Sequence, residues 1–498
     1  MTVMSGIRGN PRLGYRTHDA VVIVPGIMGS VLEESDTPGR RIWGDTAVAK
    51  SWFSGSALRR LQLTEEEQEG HYGRVKATKL LDFATWLPLF RGVERYDNLT
   101  HAILGAVADK RAVREFPYDW RLPVAYNAGL LAKDALAHLE RWRASKAHDR
   151  AMRLHPTEQE PAKLVLVAHS MGGLLVRHML LDPDVAALVR ACVTLGTPFY
   201  GTPKAAALLN SGRLTSSLGI PLLPARRPAS AALRREADDG LRALAVTLPG
   251  IYDLLPTYRC LVEGDTARHL TAEDVVRLGG CPAQAKAWKE RQLPLSERPL
   301  LSDDHQLLVG SAQPTVQSLR VENGVVEQLF TTPRAKGPAV NEWGDGTVPI
   351  CSAKVPKVRP AGQPIQSHSD LASADEIVSW VAEVVREGDL STNMPYLGGD
   401  DENPFGLETP EGAVVPNEKW PAVVVGGEVP PLSAFCYVEA VGARTAWKQR
   451  FQLESRDGEL RAHITLDGPG LHRVTFQPPG GGAPISQLVL AIDPCLDD

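Results

Sequence analysis

Three shortages narrow what this chain can be. Its six cysteines (Cys192, Cys260, Cys281, Cys351, Cys436 and Cys495) are scattered through 498 residues, with no CxxC pair and no metal-ligand spacing. Such spacing predicts ordinary thiols in a reducing compartment and neither a metal centre nor a disulfide framework. Cys260 and Cys281 are the one pair close enough in sequence to close a short loop. Positive charge is not in excess: 54 Lys and Arg stand against 59 Asp and Glu, for a net charge of −5. That gives no basic face for nucleic acid. Long apolar runs are missing too: no window reaches the roughly 20 residues of a membrane-spanning helix. Met1–Pro11 lacks the apolar stretch of a signal peptide, so a cytoplasmic chain without metal or cofactor is expected.

What remains is ample material for a core. Hydrophobic residues make up 43% and charged residues 23% of the chain, a composition and length suited to two or three domains. Ala20–Val24 is a short, wholly apolar run ended by Pro25-Gly26, as a strand buried on both faces requires. Further strand patterns lie at Val113–Phe116, Leu164–Ala168, Val189–Leu195 and Leu307–Gly310. Helical patterns lie at Tyr96–Val107, Ala128–Ala144, Gly173–Leu181 and Ala374–Arg386. Strands alternating with helices predict an α/β protein with a doubly wound, mostly parallel sheet over residues 1–386.

Two long stretches, 33–89 and 202–299, interrupt that alternation and are read as cap and lid above the carboxyl ends of the strands. Asn323-Gly324 between Val-containing arms predicts a tight hairpin within Leu319–Thr331. Residues 387–431, rich in Pro and Gly and carrying Asp400-Asp401-Glu402, read as a solvated acidic linker rather than a calcium loop. Residues 432–498 show short alternating runs between turns, the pattern of a small all-β sandwich-like domain.

One segment speaks directly of chemistry. Ser170 lies in Ala168-His169-Ser170-Met171-Gly172, between the apolar run Leu164–Val167 and the helical pattern that follows. A strand, a sharp corner and a helix lift a serine hydroxyl above an α/β sheet. Serine is a weak nucleophile at neutral pH and needs a base oriented by a carboxylate. In this architecture the order is Ser, Asp, His. Asp345, between Gly344 and Gly346, is the candidate acid, and His368, ahead of the last helix of the sheet domain, is the candidate base. Asp303, Asp304 and His305 form a rival cluster that precedes a strand instead of following one. His169 is read as structural, because neighbours on a sharp turn point apart. The negative oxygen of a tetrahedral intermediate needs two backbone N–H donors. Met171, at a helix N-terminus, and Ile27, in the loop Pro25–Ser30, are the candidates.

Five stretches together resemble the lecithin:cholesterol acyltransferase family, with its lysosomal phospholipase and phospholipid:diacylglycerol acyltransferase branches, within the α/β-hydrolases. They are Val24–Glu33, Phe116–Arg121 (Phe-Pro-Tyr-Asp-Trp-Arg), the Ser170 corner, Leu248–Pro256 and Gly344–Pro349 (Gly-Asp-Gly-Thr-Val-Pro). The Phe116 and Gly344 segments carry most of the specificity. The resemblance spans about Ala20 to Arg386 and says nothing of the terminal β domain. It implies a triad of Ser170, Asp345 and His368, with Ile27 and Met171 as oxyanion donors. It also implies attack on a lipid acyl ester, with the acyl group held on serine and passed to water or an alcohol. The chain departs from secreted animal members in having no cysteine within 33–111, where they carry a disulfide-clamped loop.

Trp52, Phe53 and Trp86, bulky residues with cations nearby, are candidate substrate contacts and fit transient contact with a membrane surface. The alternative is an esterase or thioesterase of the same mechanism acting on small soluble substrates. The terminal β domain is a candidate surface for a protein partner.

Overall fold

The computed structural model describes residues 16–44, 56–84, 95–154, 160–211, 239–296, 305–322, 324–333, 339–387, 405–410, 413–426, 434–441, 448–456, 459–478 and 483–492. Ala20–Val24 forms strand β1, with every residue no more than 1% exposed. Burying each of its larger aliphatic side chains contributes about 1.5–3 kcal/mol over leaving it in water. Strands β2 (Val113–Glu115), β3 (Leu164–His169), β4 (Val189–Leu195) and β5 (His305–Leu308) complete a five-stranded sheet in the order β5-β4-β3-β1-β2, with all pairs parallel. Helix α1 (Asp97–Ala106) packs on α4 (Asp375–Glu387), and α2 (Val124–Arg143) on α3 (Met171–Met179). Central parallel sheet and flanking helices make this an α/β-hydrolase fold.

β5 begins two residues before the apolar run that predicted it. His305 opens the strand, paired in register with Cys192, and its Nε2 lies 2.8 Å from the Thr194 hydroxyl. A polar side chain can occupy a buried strand position once it has such a partner, and a hydrophobicity pattern does not register it.

The first insertion is anchored by a three-stranded antiparallel sheet of Arg41–Trp43, Ser30–Glu34 and Val75–Leu80. In the second, strands Leu261–Glu263 and Thr266–Arg268 join the hairpin Ser318–Glu322 and Val325–Leu329 in a four-stranded sheet. Glu322 pairs with Val325, and Gly324 in the turn between them has φ of 77°. Asn323 lies outside the described residues.

Both insertions meet the core at Arg121. Its guanidinium is wholly buried, donating to both carboxylate oxygens of Asp119 at 2.9 and 2.7 Å, to Glu67 at 3.2 Å and to the Leu61 carbonyl at 3.2 Å. Burial opposes the charge on Glu67, but Arg121, Arg74 and the Thr64 N–H outweigh it and hold that carboxyl below its ordinary range. From the second insertion, the Gly250 N–H donates to the Arg121 carbonyl at 3.1 Å. The Tyr118 N–H donates to Ser30 Oγ at 3.0 Å and its hydroxyl to the Pro25 carbonyl at 3.1 Å, tying the same segment to the loop after β1.

The terminal β domain is larger than its sequence pattern. Strands β6 (Phe405–Glu408) and β7 (Trp420–Gly426) lie inside the stretch 387–431 expected to be linker. The remaining strands are β8 (Phe435–Ala440), β9 (Lys448–Gln452), β10 (Glu454–Arg456), β11 (Glu459–Ile464), β12 (Gly470–Phe476) and β13 (Ile485–Ala491). They form two antiparallel four-stranded sheets, β6-β7-β11-β10 and β9-β8-β12-β13. A separate core of Leu407, Trp420, Val424, Val438, Ile464, Val474 and Phe476 sits between them. The sandwich expected from residue 432 therefore starts near 405. Gly406 and Pro421 gave the two strands the look of loop. Pro421 is accommodated at the start of β7, before β6 begins to pair at Val423.

Among the described residues, no helix is long and apolar enough to cross a membrane. The described cysteines Cys192, Cys260, Cys281, Cys351 and Cys436 are all free thiols, so Cys260 and Cys281 form no bridge.

Removing Arg121 leaves buried Asp119 without its cation and takes from Glu67 one of its two. Arg121→Ala should therefore lower unfolding free energy by about 3–5 kcal/mol in urea titrations. A loss below about 1 kcal/mol would contradict this description of the junction.

Candidate active site

Ser170 is the first residue after β3, at φ 52° and ψ −126°, a region that a side chain with Cβ rarely occupies. What holds it there is close backbone approach on the far side of the turn. A Cβ on Gly172 would lie 2.5 Å from the Pro25 carbonyl oxygen, so only glycine lets α3 start so near the loop after β1. Ala168, in place of the first glycine of the usual corner, is the last-but-one residue of β3 and wholly buried, where a methyl group fits.

The structure brings Ser170, His368 and Asp345 together. His368 Nε2 lies 2.7 Å from Ser170 Oγ, and its Nδ1 lies 2.7 Å from Asp345 Oδ2. The other carboxylate oxygen accepts from the backbone N–H groups of Thr347 at 2.9 Å and Val348 at 2.7 Å. The His368 N–H donates to the Asp345 carbonyl at 2.9 Å, so acid and base are joined through backbone as well as side chain. All three are buried, Ser170 to 3% exposure. Gly196, at φ 58°, makes room for them: a Cβ there would lie 2.9 Å from Asp345 Oδ2 and 3.3 Å from His368 Nδ1.

The two candidate oxyanion donors flank the serine. Met171 is the first residue of α3, whose opening turn leaves backbone N–H groups without intrahelical acceptors. Ile27 follows Gly26, whose added Cβ would lie only 2.9 Å from Ser170 Cβ. Met28 takes φ 66°, which turns this loop sharply, and the Gly29 N–H closes it on the Gly26 carbonyl at 3.1 Å. Trp52, Phe53 and Trp86, proposed from sequence as substrate contacts, lie outside the described residues. A small pocket of about 20 Å³ bordered by Leu174, Arg177, His178, Phe199, Asp253 and Arg291 lies beside later turns of α3 and does not include Ser170.

His305, the rival base, sits low in the sheet. It is level with Cys192 on β4, whereas His169 beside the serine is level with Leu195 at the other end of that strand. Burial pushes its imidazole down to about 3. Asp303 and Asp304 lie outside the described residues. Among the described residues, no group of three or more His, Cys, Asp or Glu could hold a metal ion.

Tyr96 was invisible in the sequence, and His169 was legible only as packing. His169 Nε2 lies 2.9 Å from the His368 carbonyl oxygen, which can only accept, so this nitrogen carries the proton. Nδ1 is then bare and accepts from the Tyr96 hydroxyl at 2.8 Å. The Tyr96 oxygen in turn accepts the Gly26 N–H at 2.8 Å. A directional chain thus runs from the loop carrying Ile27 to the backbone of the candidate base. Burial, reinforced by His368, pushes His169 down to about 3 and keeps it neutral; burial likewise pushes the Tyr96 hydroxyl up. No local pattern marks Tyr96, whose partners lie 70 and 73 positions away.

Buried neutral histidines make the fold sensitive to acid. Burial lowers His169 and His305 to about 3 and His178 to about 4. Between about 6.5 and those values the unfolded chain binds more protons than the folded one. Their contribution to stability is therefore complete above that range and is lost as pH falls, by at most about 1.4 kcal/mol per pH unit for each. Urea midpoints should decline from about pH 7 to about pH 5; a constant or rising midpoint would contradict buried neutral imidazoles.

Residues 94–229 match the family model of lecithin:cholesterol acyltransferase. No match is found among curated proteins. Of solved structures, the chain is similar to one of the Tle4-Tli4 complex, at 14% identity and TM-score 0.46, over 75% of this chain and 99% of that one. It is also similar to lipase BlEst2 of Bacillus licheniformis in propeptide form, at 9% identity and TM-score 0.30, over 97% of this chain and 95% of that one. The family match spans Phe116–Arg121 and the Ser170 turn, so this part of an α/β-hydrolase-like chain is similar to the lecithin:cholesterol acyltransferase family.

Proposed function

We propose that the chain is a serine-dependent acyl-ester hydrolase or O-acyltransferase acting on phospholipid or glycerolipid through an acyl-Ser170 intermediate. The observation that carries this reading is the pair of 2.7 Å contacts that His368 makes, one to Ser170 Oγ and one to Asp345 Oδ2. The family match over residues 94–229 supports acyl-ester chemistry on lipid.

In this mechanism Asp345 accepts the proton-bearing Nδ1 of His368 and leaves Nε2 free to take a proton. As Ser170 Oγ attacks the ester carbonyl carbon, its proton passes to Nε2 and the carbonyl oxygen becomes negative. The N–H groups of Ile27 and Met171 receive that charge. When the tetrahedral intermediate collapses, the carbon–oxygen bond to the leaving alcohol breaks. The alcohol departs with the proton from Nε2, leaving the acyl group on Ser170. Water or an acceptor alcohol then enters, gives its proton to Nε2 and attacks the acyl carbon, and Ser170 leaves with the proton restored. Burial of all three side chains limits the water that would compete with an alcohol acceptor.

Ser170→Ala should abolish labelling by a fluorophosphonate probe and lower hydrolysis of phospholipid vesicles by about 10⁴-fold or more. Undiminished labelling of the variant would exclude this nucleophile. Wild-type turnover of a short soluble ester that vesicles do not enhance would instead favour the esterase or thioesterase reading.

Protonation of His368 removes the lone pair that accepts the serine proton, so kcat/KM should fall on the acidic side of its pH profile. An acid optimum would contradict His368 as base.

A further inference from the structure

The C-terminal sandwich touches the candidate active site from two directions. On the acid side, the stretch Ala312–Thr315 clamps the backbone around Asp345. Gln313 forms a parallel bridge with Asp345, and its N–H donates to the Gly344 carbonyl at 2.9 Å. Thr315 Oγ1 accepts the N–H groups of Gly344 at 3.0 Å and Gly346 at 2.8 Å. Strand β6 of the sandwich lies directly on this clamp. The Leu407 N–H donates to Gln313 Oε1 at 3.1 Å, and a Cβ added to Gly406 would lie 2.5 Å from the Ala312 carbonyl oxygen.

On the base side, Gln366 precedes His368 by two residues. Its Nε2 donates to the Pro484 carbonyl at 3.1 Å, just ahead of β13. Ile365 packs against the sandwich core. The same two loops are tied to each other, since the Ser311 N–H donates to the Pro364 carbonyl at 3.0 Å.

Gln313 is also an expensive way to fill space. It is wholly buried, and its Nε2 finds no acceptor among the described residues. An unpaired buried donor costs about 1–3 kcal/mol, which an apolar side chain of that shape would avoid. What glutamine supplies at this position is the bond to β6.

From these contacts we infer that the sandwich is a positioning part of the catalytic centre, with Gln313 setting the Asp345 loop and Gln366 the His368 loop. This rests on the reading of Ser170, Asp345 and His368 as a triad. Met keeps the length of Gln without its hydrogen bonds. In the full chain, Gln313→Met and Gln366→Met should each slow fluorophosphonate labelling of Ser170 and lower kcat on a short soluble ester about tenfold, with KM little changed, as a small misplacement of acid or base does. Gly406→Ala, which wedges β6 away from Ala312, should do the same without altering either glutamine. Val438→Ala, in the sandwich core and remote from both contacts, should lower the thermal midpoint yet leave kcat intact.

Wild-type rates in the glutamine and Gly406 variants, with only their thermal midpoints lowered, would overturn the inference and leave the sandwich as a stabilising neighbour. An equal loss of kcat in Val438→Ala would overturn it too, because general loosening would then suffice. Wild-type protein that does not label would instead remove the triad reading, and this inference with it.

Discussion

One imidazole holds the candidate active centre together. His368 reaches Ser170 across 198 positions of chain on one nitrogen and Asp345 on the other, and each contact is 2.7 Å. Both bonds depend on where the loops place the three side chains, and the surrounding backbone is fixed by unusual means. Ser170 is held at positive φ by the close seating of α3 on the loop after β1, and Gly196 takes positive φ where any side chain would strike acid and base. Strain at these points is tolerated because the central strands Ala20–Val24 and Leu164–His169 beneath them are buried and hydrogen-bonded on both sides.

Around that imidazole the polar groups run in a definite direction. Gly26 N–H, Tyr96 hydroxyl, His169 ring and His368 carbonyl form a chain in which each donor has one acceptor. Because His169 stays neutral in its buried setting, the chain keeps its polarity over a wide range of pH. It connects the loop that carries the candidate oxyanion donor Ile27 to the segment that carries His368. Farther out, the Arg121 cluster locks both insertions to the core, and Gln313 and Gln366 bring the terminal sandwich against the same loops.

The sequence made the sheet domain legible wherever burial alone decides. Ala20–Val24 is a strand because it is buried on both faces, and hydrophobicity reports that. The serine corner was legible because strand, small residues and helix sit within ten positions of one another. Strands Phe405–Glu408 and Trp420–Gly426 were not, since Gly406 and Pro421 read locally as punctuation and only their pairing with each other, and of the second with β11, makes them strands. His305 was hidden for a related reason: its place in β5 depends on a hydroxyl 111 positions away. Tyr96 and Gln313 are common residue types in unmarked surroundings, and their roles exist only in three dimensions. Trp52, Phe53 and Trp86 remain proposals from composition.

The most direct measurement is peptide mass mapping after a rapid acid quench of wild-type protein mixed with phospholipid vesicles. A fatty acyl adduct on the peptide bearing Ser170, absent when His368 is replaced by Ala, is the expected result. Turnover of the vesicles with no adduct on that peptide at any quench time, or with an adduct on another residue, would contradict a nucleophilic Ser170.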